Sequence, residues 1–574
     1  MATPASSIKG FEVVVGYVSE TTAKIGCCSL QGGTLTATCS GGSVSCSTMT
    51  ERGADNSARS GLYVSTTGLI TITGLSPFTR YTYTATCDGI TVSGSFTTLP
   101  DDDSVDWAFL QGTCESLTSQ GYTIDKNYSV MRQIVEDSSV PVLFYAHIDD
   151  NMYTDEFKYV FEAHSKTDAQ TGLNNTAVDP QTGAENTHLK WDRAVAWTAW
   201  FGLLPGLPQA TYADRKWFFR NVPRWAQWGD HEIAGDHCSS VKGSGTSPAN
   251  YGCNRTGVAG VEYAAMETEA EELWNAYVAD ACRPPSHTAD GGPASNTGEQ
   301  YWGKAVGSVR FFSFDRNKHA WPYDAADAAG VTYGRSGTAS RGTSTGATVP
   351  TKTACEAVGG AGCCAQFLGS TQITDMLNWF NNVEPFKIIF APNGISMHNQ
   401  PWSDRWPDDF DDAMGRNSTE LGLLRNPKTN GTTGHTFILK GDTHALHVCS
   451  YHSDGTASGC GGASTPSGYE LWEICPGTIN SSPIGGGLFG NNMTSHGQAY
   501  TITAGGKVRL LDCGATQSSK QLSAVVKVTV EETASPKKLT AEMIRLPSMQ
   551  IAWRGYQTAT QIGNQFQYNA AMFG

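Results

Sequence analysis

Four apolar runs of this chain stop at an acid, a cysteine or a histidine, and that shared ending constrains the fold more than anything else in the sequence. "WAFLQG" (107–112) runs into Cys114 and Glu115, and "VLFYAHI" (142–148) into Asp149, Asp150 and Tyr153. "RWAQW" (224–228) runs into Asp230, His231 and Glu232, with Asp236 and His237 close behind. "TFILKG" (436–441) runs into Asp442, His444 and His447. Short runs rich in β-branched and aromatic residues read as buried strands. Carboxylates at the end of such a strand cost free energy unless something compensates them. In open α/β sheets ligands gather outside the carboxyl ends of the strands. The pattern therefore predicts one sheet edge supplied with thiol, carboxylate, phenol and imidazole groups. Acids so concentrated repel one another, and cations are the usual remedy.

Taken singly, each of these residues also has a structural reading. Asp150 could cap a helix or close a turn, and Cys114 could be a core thiol or half of a disulfide. Tyr153 could be a half-buried packing residue and His231 a satisfied structural histidine. His147 lies within the period of its strand and is read as packing. His447, three residues from His444, either joins it on a metal or alternates along a strand. It is "GDHE" and "GDTH", both following strands, that favour the metal reading. Two other motifs are set aside. "HEIAGDH" has Gly235 where a helical zinc site needs its second histidine. "GTSTG" (342–346) lies in a Gly/Ser/Thr-rich loop without the strand-to-helix turn of a nucleophile elbow.

The surrounding chain implies two domains, since 574 residues exceed what a single core organises. Residues 1–99 read as an all-β sandwich: "FEVVVGYV", "TAKIGCCSL", "GLITITGL", "RYTYTATC" and "ITVSGSFTTL" are short strands with turn residues between them. Residues 100–106, with "PDDDS", read as a linker, and 107–574 as an α/β layered domain in which strands and helices alternate. Helices are expected within "YSVMRQIVED", over 261–280 and over 372–381. A formal net charge of −15 argues against general nucleic-acid binding, which draws on Lys and Arg. No apolar run is long enough to span a bilayer, and the N-terminus lacks the charged start and apolar core of a signal peptide. Any signal is expected to have been removed, or never to have existed. Sixteen cysteines without a CxxC or zinc-finger spacing predict disulfides or buried thiols and an oxidising, extracytoplasmic setting.

The motifs, taken in order, resemble those of a known family. "AHIDDNMYTD", "WGDHEIAGD" and "LKGDTHALHV" are similar to the "HLGDYIYxD", "WDDHExxxN" and "GDVH" signatures of the PhoD-like alkaline phosphatases, within the calcineurin-like metallophosphoesterases. "FLQGTCES" resembles the family's strand with a metal-binding cysteine, and "YWGKAVGSVRFFSFDRNKHA", "WSDRWPDDFDDAMGRNSTELGLL" and "WEICPGTINSSP" resemble its later segments. The similarity spans nearly the whole chain, and an N-terminal fibronectin III-like or immunoglobulin-like β module is usual there.

The resemblance implies a metallophosphoesterase-type sheet sandwich with flanking helices. It also implies hydrolysis of phosphomonoesters or phosphodiesters, small or polymeric, by metal-activated hydroxide. Carried over, Cys114, Asp150, Tyr153, Asp230, Asp442 and His444 would be metal ligands, and Asp236 a further candidate. The metals implied are iron(III) and calcium. Tyrosinate and thiolate suit the first and hard carboxylates the second. Asp150, Asp230 and His231 would form the catalytic group, with His231 protonating the leaving oxygen and Glu232 orienting it. Three departures stand out. Asp149 replaces a motif glycine, Gly229 replaces the first Asp of "DDHE", and "RNKHA" follows Asp315 in place of the family's arginine pair. The rival reading is a surface or virion adhesion protein that keeps the fold without turnover.

Overall fold

The computed structural model describes residues 9–52, 65–115, 117, 124–153, 194, 196–203, 212–229, 232, 270–285, 300–315, 370–380, 383–392, 435–441, 446–452, 470–479, 499–502, 506–513, 523–546, 548–560 and 567–568. The N-terminal part holds β1 (Phe11–Val18), β2 (Thr22–Ser29), β3 (Thr36–Cys39), β4 (Ser43–Cys46), β5 (Thr50–Arg52), β6 (Ser65–Thr73), β7 (Arg80–Cys87) and β8 (Ile90–Thr97). One sheet runs β1-β2-β6-β4, with β5 also paired to β6, and a second runs β3-β7-β8. Val13, Val15, Ile25 and Ile70 of the first sheet and Ala85 and Phe96 of the second share one core. Cys27, Cys28 and Cys87 are buried thiols, and none of the five N-terminal cysteines is in a disulfide. Between the two readings open for these residues, the structure shows thiols.

Every residue of β1 is buried, because each of its faces has a partner. Val13 and Val15 meet the second sheet, while Val14 packs with Tyr277 and Ala281 of the following domain. A side chain at Gly16 would fall 2.2 Å from the Ala281 carbonyl oxygen, so glycine permits the close approach. Glu12 sits on the same face as Val14. Its carboxylate accepts two bonds from Arg220, both 2.6 Å, with Lys216 Nζ at 3.7 Å.

The described residues that follow build two facing sheets. The first contains β9 (Trp107–Gly112), β10 (Val142–Ile148) and β11 (Arg224–Gln227). The second contains β12 (Trp302–Val306), β13 (Val309–Ser313), β14 (Phe386–Ala391), β15 (His435–Lys440), β16 (Leu446–His452), β17 (Glu470–Pro476), β18 (Ala499–Ile502) and β19 (Gly506–Cys513). The chain then returns to the first sheet as β20 (Ser523–Glu531), β21 (Lys538–Leu546), β22 (Ile551–Thr558) and β23 (Gln567–Tyr568). The orders are β11-β10-β9-β20-β21-β22-β23 and β12-β13-β14-β15-β17-β16-β19-β18. Both sheets are mixed. β9, β10 and β11 are parallel, as are β13, β14, β15 and β17, and antiparallel strands complete each sheet.

Alternation along the strands explains the layering. Phe109, Phe144 and Trp225 face the second sheet, where Phe311 and Phe390 stack at 5.5 Å and Phe109 meets Phe311 edge-on at 5.4 Å. Their neighbours Leu110, Tyr145 and Ala226 face the opposite way. There they pack with Met131 and Ile134 of the helix Ile124–Glu136, with Phe218 and Phe219 of Ala213–Asn221, and with Leu273 and Trp274. The helix Ser370–Phe380 lies on the outside of the second sheet, with Trp379 against Phe312 at 5.7 Å.

The expected strands at 107–112 and 142–148 form as read, and the runs 224–228 and 436–441 form strands over Arg224–Gln227 and His435–Lys440. The helix expected over 261–280 is described from residue 270, and its middle, Asn275–Ala279, is a π-helical turn.

The Glu12–Arg220 pair yields a stability prediction. Removing one partner of a buried pair strands the other charge. Because Arg220 is partly exposed, Glu12→Ala should cost about 2–3 kcal/mol, measured by urea unfolding.

Candidate functional site

The strand ends meet. β9, β10 and β11 run parallel, and their pairing continues past the strands into the loops. The Asp149 N–H donates to the Gln227 carbonyl at 3.1 Å, and the Glu115 N–H donates to the Asp150 carbonyl at 2.9 Å. β15 arrives from the other sheet. The Gln111 side chain donates to the Lys440 carbonyl at 3.3 Å. A Cβ placed on Gly441 would lie 2.6 Å from the Cβ of Asp149 and 3.0 Å from Thr113 Oγ1. β11 arrives through Gly229, where a Cβ would fall 1.9 Å from Asp149 Oδ1 and 2.5 Å from Asp150 Oδ1. Glycine before each of the "DHE" and "DTH" triplets is therefore a packing requirement.

The backbone at this edge is unusual. Cys114, Asp149 and Asp150 have φ of 56°, 70° and 47°. This left-handed region costs an L residue roughly 1–2 kcal/mol, less for Asp, and such strain gathers at functional sites. The left-handed turn at Asp149 also explains why a glycine suits that position. Cys114, Asp149 and Asp150 are completely buried, and the Cys114 thiol donates to Asp150 Oδ2 at 3.5 Å. Tyr153 is buried three residues further on.

The structure thus brings Cys114 and Asp150 together and adds Asp149. Asp230, His231, Asp236, Asp442 and His444 lie outside the described residues, although Gly229, Glu232 and Gly441 beside them are described. Among the described residues alone, no group of three or more His, Cys, Asp and Glu side chains is arranged to hold a metal ion.

Glu232 braces the loops at this edge. Its carboxylate accepts the N–H of Gly229 at 2.6 Å and that of Met152 at 3.2 Å, and also the N–H of Asn151. It pins the loop after β10 to the loop after β11. Burial pushes its carboxyl up to about 7, against the opposing pull of those three backbone donors.

Beneath the edge lies a buried polar network that the sequence reading missed. Glu115 accepts from Arg215 Nε at 2.5 Å and from the Tyr128 hydroxyl at 2.8 Å, with Arg224 at 3.6 Å. Arg224 donates to His147 Nδ1 and, at 3.4 Å, to the Asn151 side-chain oxygen. The cue was an arginine opening an otherwise apolar strand, since such a charge is buried only when paired. His147 is completely buried here, as the packing reading expected. Desolvation, then the charges of Arg224 and Arg215, hold its pKa well below the ordinary value. His447, one of two readings for which was a metal pair, bonds Glu473 at 2.8 Å, with Lys440 3.7 Å from the same oxygen. Asp315 accepts from the Trp228 indole at 2.9 Å and from the Gln300 N–H at 2.9 Å, bracing the segment that leads into Gly229.

No family model matches the chain, and no curated protein sequence matches it either.

Two outcomes follow from this geometry. Glu232→Ala leaves buried backbone donors without their acceptor, at about 1–3 kcal/mol for each unsatisfied group. Denaturant unfolding should show a loss of at least about 2 kcal/mol, with a smaller loss for Glu232→Gln, which keeps one acceptor oxygen. His147 has its folded pKa depressed below an unfolded value of about 6.5. Below that pH the unfolded chain binds a proton that the folded chain refuses, so this contribution is present above about 6.5 and lost as pH falls. In unfolding measured at neutral and mildly acidic pH, His147→Gln should flatten the acid-side decline.

Proposed function

We propose that this chain is a metal-dependent phosphoester hydrolase of the PhoD-like kind. The observation that carries the reading is the convergence of Cys114, Asp149 and Asp150 with Gly229 and Gly441 at one edge. Four strand ends far apart in sequence supply it, and each leads directly into a motif residue. The donor chemistry fits a metal: a thiol and a carboxylate lie within 3.5 Å, and glycine at 229 keeps the β11 loop close to two buried carboxylates. Left-handed backbone at Cys114, Asp149 and Asp150 supports the same reading, since strain of this kind is retained where geometry matters more than stability.

On this reading Cys114, Asp150, Tyr153, Asp230, Asp236, Asp442 and His444 would hold iron(III) and calcium. When bound, the ions supply Lewis acidity for the phosphoryl oxygens and lower the pKa of water toward neutrality. The chain's residues do the rest. Asp150 would present its carboxylate from the loop after β10, and Glu232 holds that loop in register with Gly229 through backbone bonds. His231, next to Asp230, protonates the departing alcohol oxygen. Glu115, Arg215 and Arg224 keep the first two loops rigid from below. The buried, desolvated setting strengthens each electrostatic interaction over its value in water.

The experiment is a metal and activity assay on two variants with an aryl phosphodiester and an aryl phosphomonoester. Asp150→Asn should abolish both bound metal and hydrolysis. His231→Ala should keep the metal and lose turnover, most severely with poor leaving groups. Full activity in His231→Ala would reject its role as acid. A wild-type protein that is folded, metal-free and inactive would reject the hydrolase reading and favour a surface adhesion role.

A further inference from the structure

Asp149 occupies the tightest point of the edge. Its side chain is completely buried and its φ is 70°. On one side, a Cβ at Gly441 would come within 2.6 Å of its own Cβ. On the other, a Cβ at Gly229 would come within 1.9 Å of its Oδ1 and 2.5 Å of Asp150 Oδ1. Carboxylate oxygens from two successive residues thus crowd one point beside the backbone of the β11 loop. Gly229 is not in the left-handed region, so space alone excludes a side chain there. What fills that space is the Asp149 carboxylate, nearest at 1.9 Å, together with Asp150 through its Oδ1 and its backbone nitrogen.

The two departures in the motifs, an acid at 149 and a glycine at 229, are then one arrangement. A carboxylate enters from the β10 loop, and the β11 loop gives up its side chain to make room. A carboxylate is buried only when it is paired or coordinates a metal, and Asp149 is completely buried beside Asp150 at the end of the sheet.

We propose that Asp149 is a further carboxylate donor to the cation site at these strand ends, entering through room that glycine at 229 leaves open. For the presence of a cation this rests on the phosphoesterase reading. The steric half of it does not.

The test uses the full-length chain, stripped by chelation and titrated calorimetrically with calcium. Asparagine tolerates the left-handed backbone, so Asp149→Asn should fold. It should bind calcium at least about tenfold more weakly, the scale of effect seen when groups around a metal are altered. In parallel, Gly229→Ala is made in the wild type and in Asp149→Gly, and urea midpoints are compared. The alanine should lower the midpoint in both, because a Cβ there also lies 2.6 Å from the Asp150 nitrogen. The drop should be clearly smaller where the Asp149 carboxylate is gone.

Equal calcium affinity in wild type and Asp149→Asn would overturn the proposal. Equal midpoint drops in the two backgrounds would overturn its steric basis. A wild type that binds no calcium and hydrolyses nothing overturns this proposal together with the hydrolase reading. A wild type that binds and hydrolyses, with Asp149→Asn binding equally well, overturns this one alone.

Discussion

The close approach of two glycine backbones to the β10 loop, Gly229 to the carboxylates of Asp149 and Asp150 and Gly441 to the Cβ of Asp149, is the constraint on which this edge depends. Two sheets must bring their carboxyl ends to the same place, and glycine leaves room for Asp149 and Asp150 at position 229 and for Asp149 at position 441. The approach is held by specific bonds. Glu232 spans the β10 and β11 loops through three backbone donors, and strand pairing continues beyond β9 and β10 as far as Glu115. The left-handed residues at the turn are tolerable because these bonds over-determine the path of the chain.

The helix Ala213–Asn221 connects this edge with the N-terminal sheets. Arg215 reaches inward to Glu115, directly after Cys114, while Arg220 reaches outward to Glu12 of β1. Two ion pairs from one short helix thus fix the underside of the site and the face of the β module. Further contacts follow the same seam. The Tyr83 hydroxyl donates to the Arg220 carbonyl at 3.1 Å, and the Ser95 hydroxyl donates to the Asn221 side-chain oxygen at 2.9 Å. The sequence of the β module is therefore shaped by its neighbour as much as by its own core. An acid inside "FEVVVGYV" makes sense only with Arg220 in view.

What the sequence reveals is local. Apolar runs with turn residues at their ends locate the strands, and the residues just beyond them locate the edge, because both signals sit within about ten positions of each other. What it conceals is non-local. β20 inserts beside β9, pairing Val528 with Phe109 across more than four hundred residues, and no local periodicity records that partner. Arg215 and Arg224 were equally hidden, since their partner Glu115 lies about a hundred residues away. Glu232 was legible as a motif acid but not as a brace, because its partners are backbone N–H groups that every residue carries. Asp149 and Gly229 could each be seen to depart from the pattern. That they fit one another is a property of the folded chain alone.

The central claim is that these strand ends exist to hold cations for phosphoester hydrolysis. Elemental analysis of the purified full-length protein, paired with hydrolysis of an aryl phosphodiester before chelation, after chelation and after metal return, addresses it most directly. The account predicts bound iron and calcium, hydrolysis that is lost with the metals, and recovery when they are restored. Hydrolysis that survives complete removal of the metals would contradict it, as would a folded protein with neither metal nor activity.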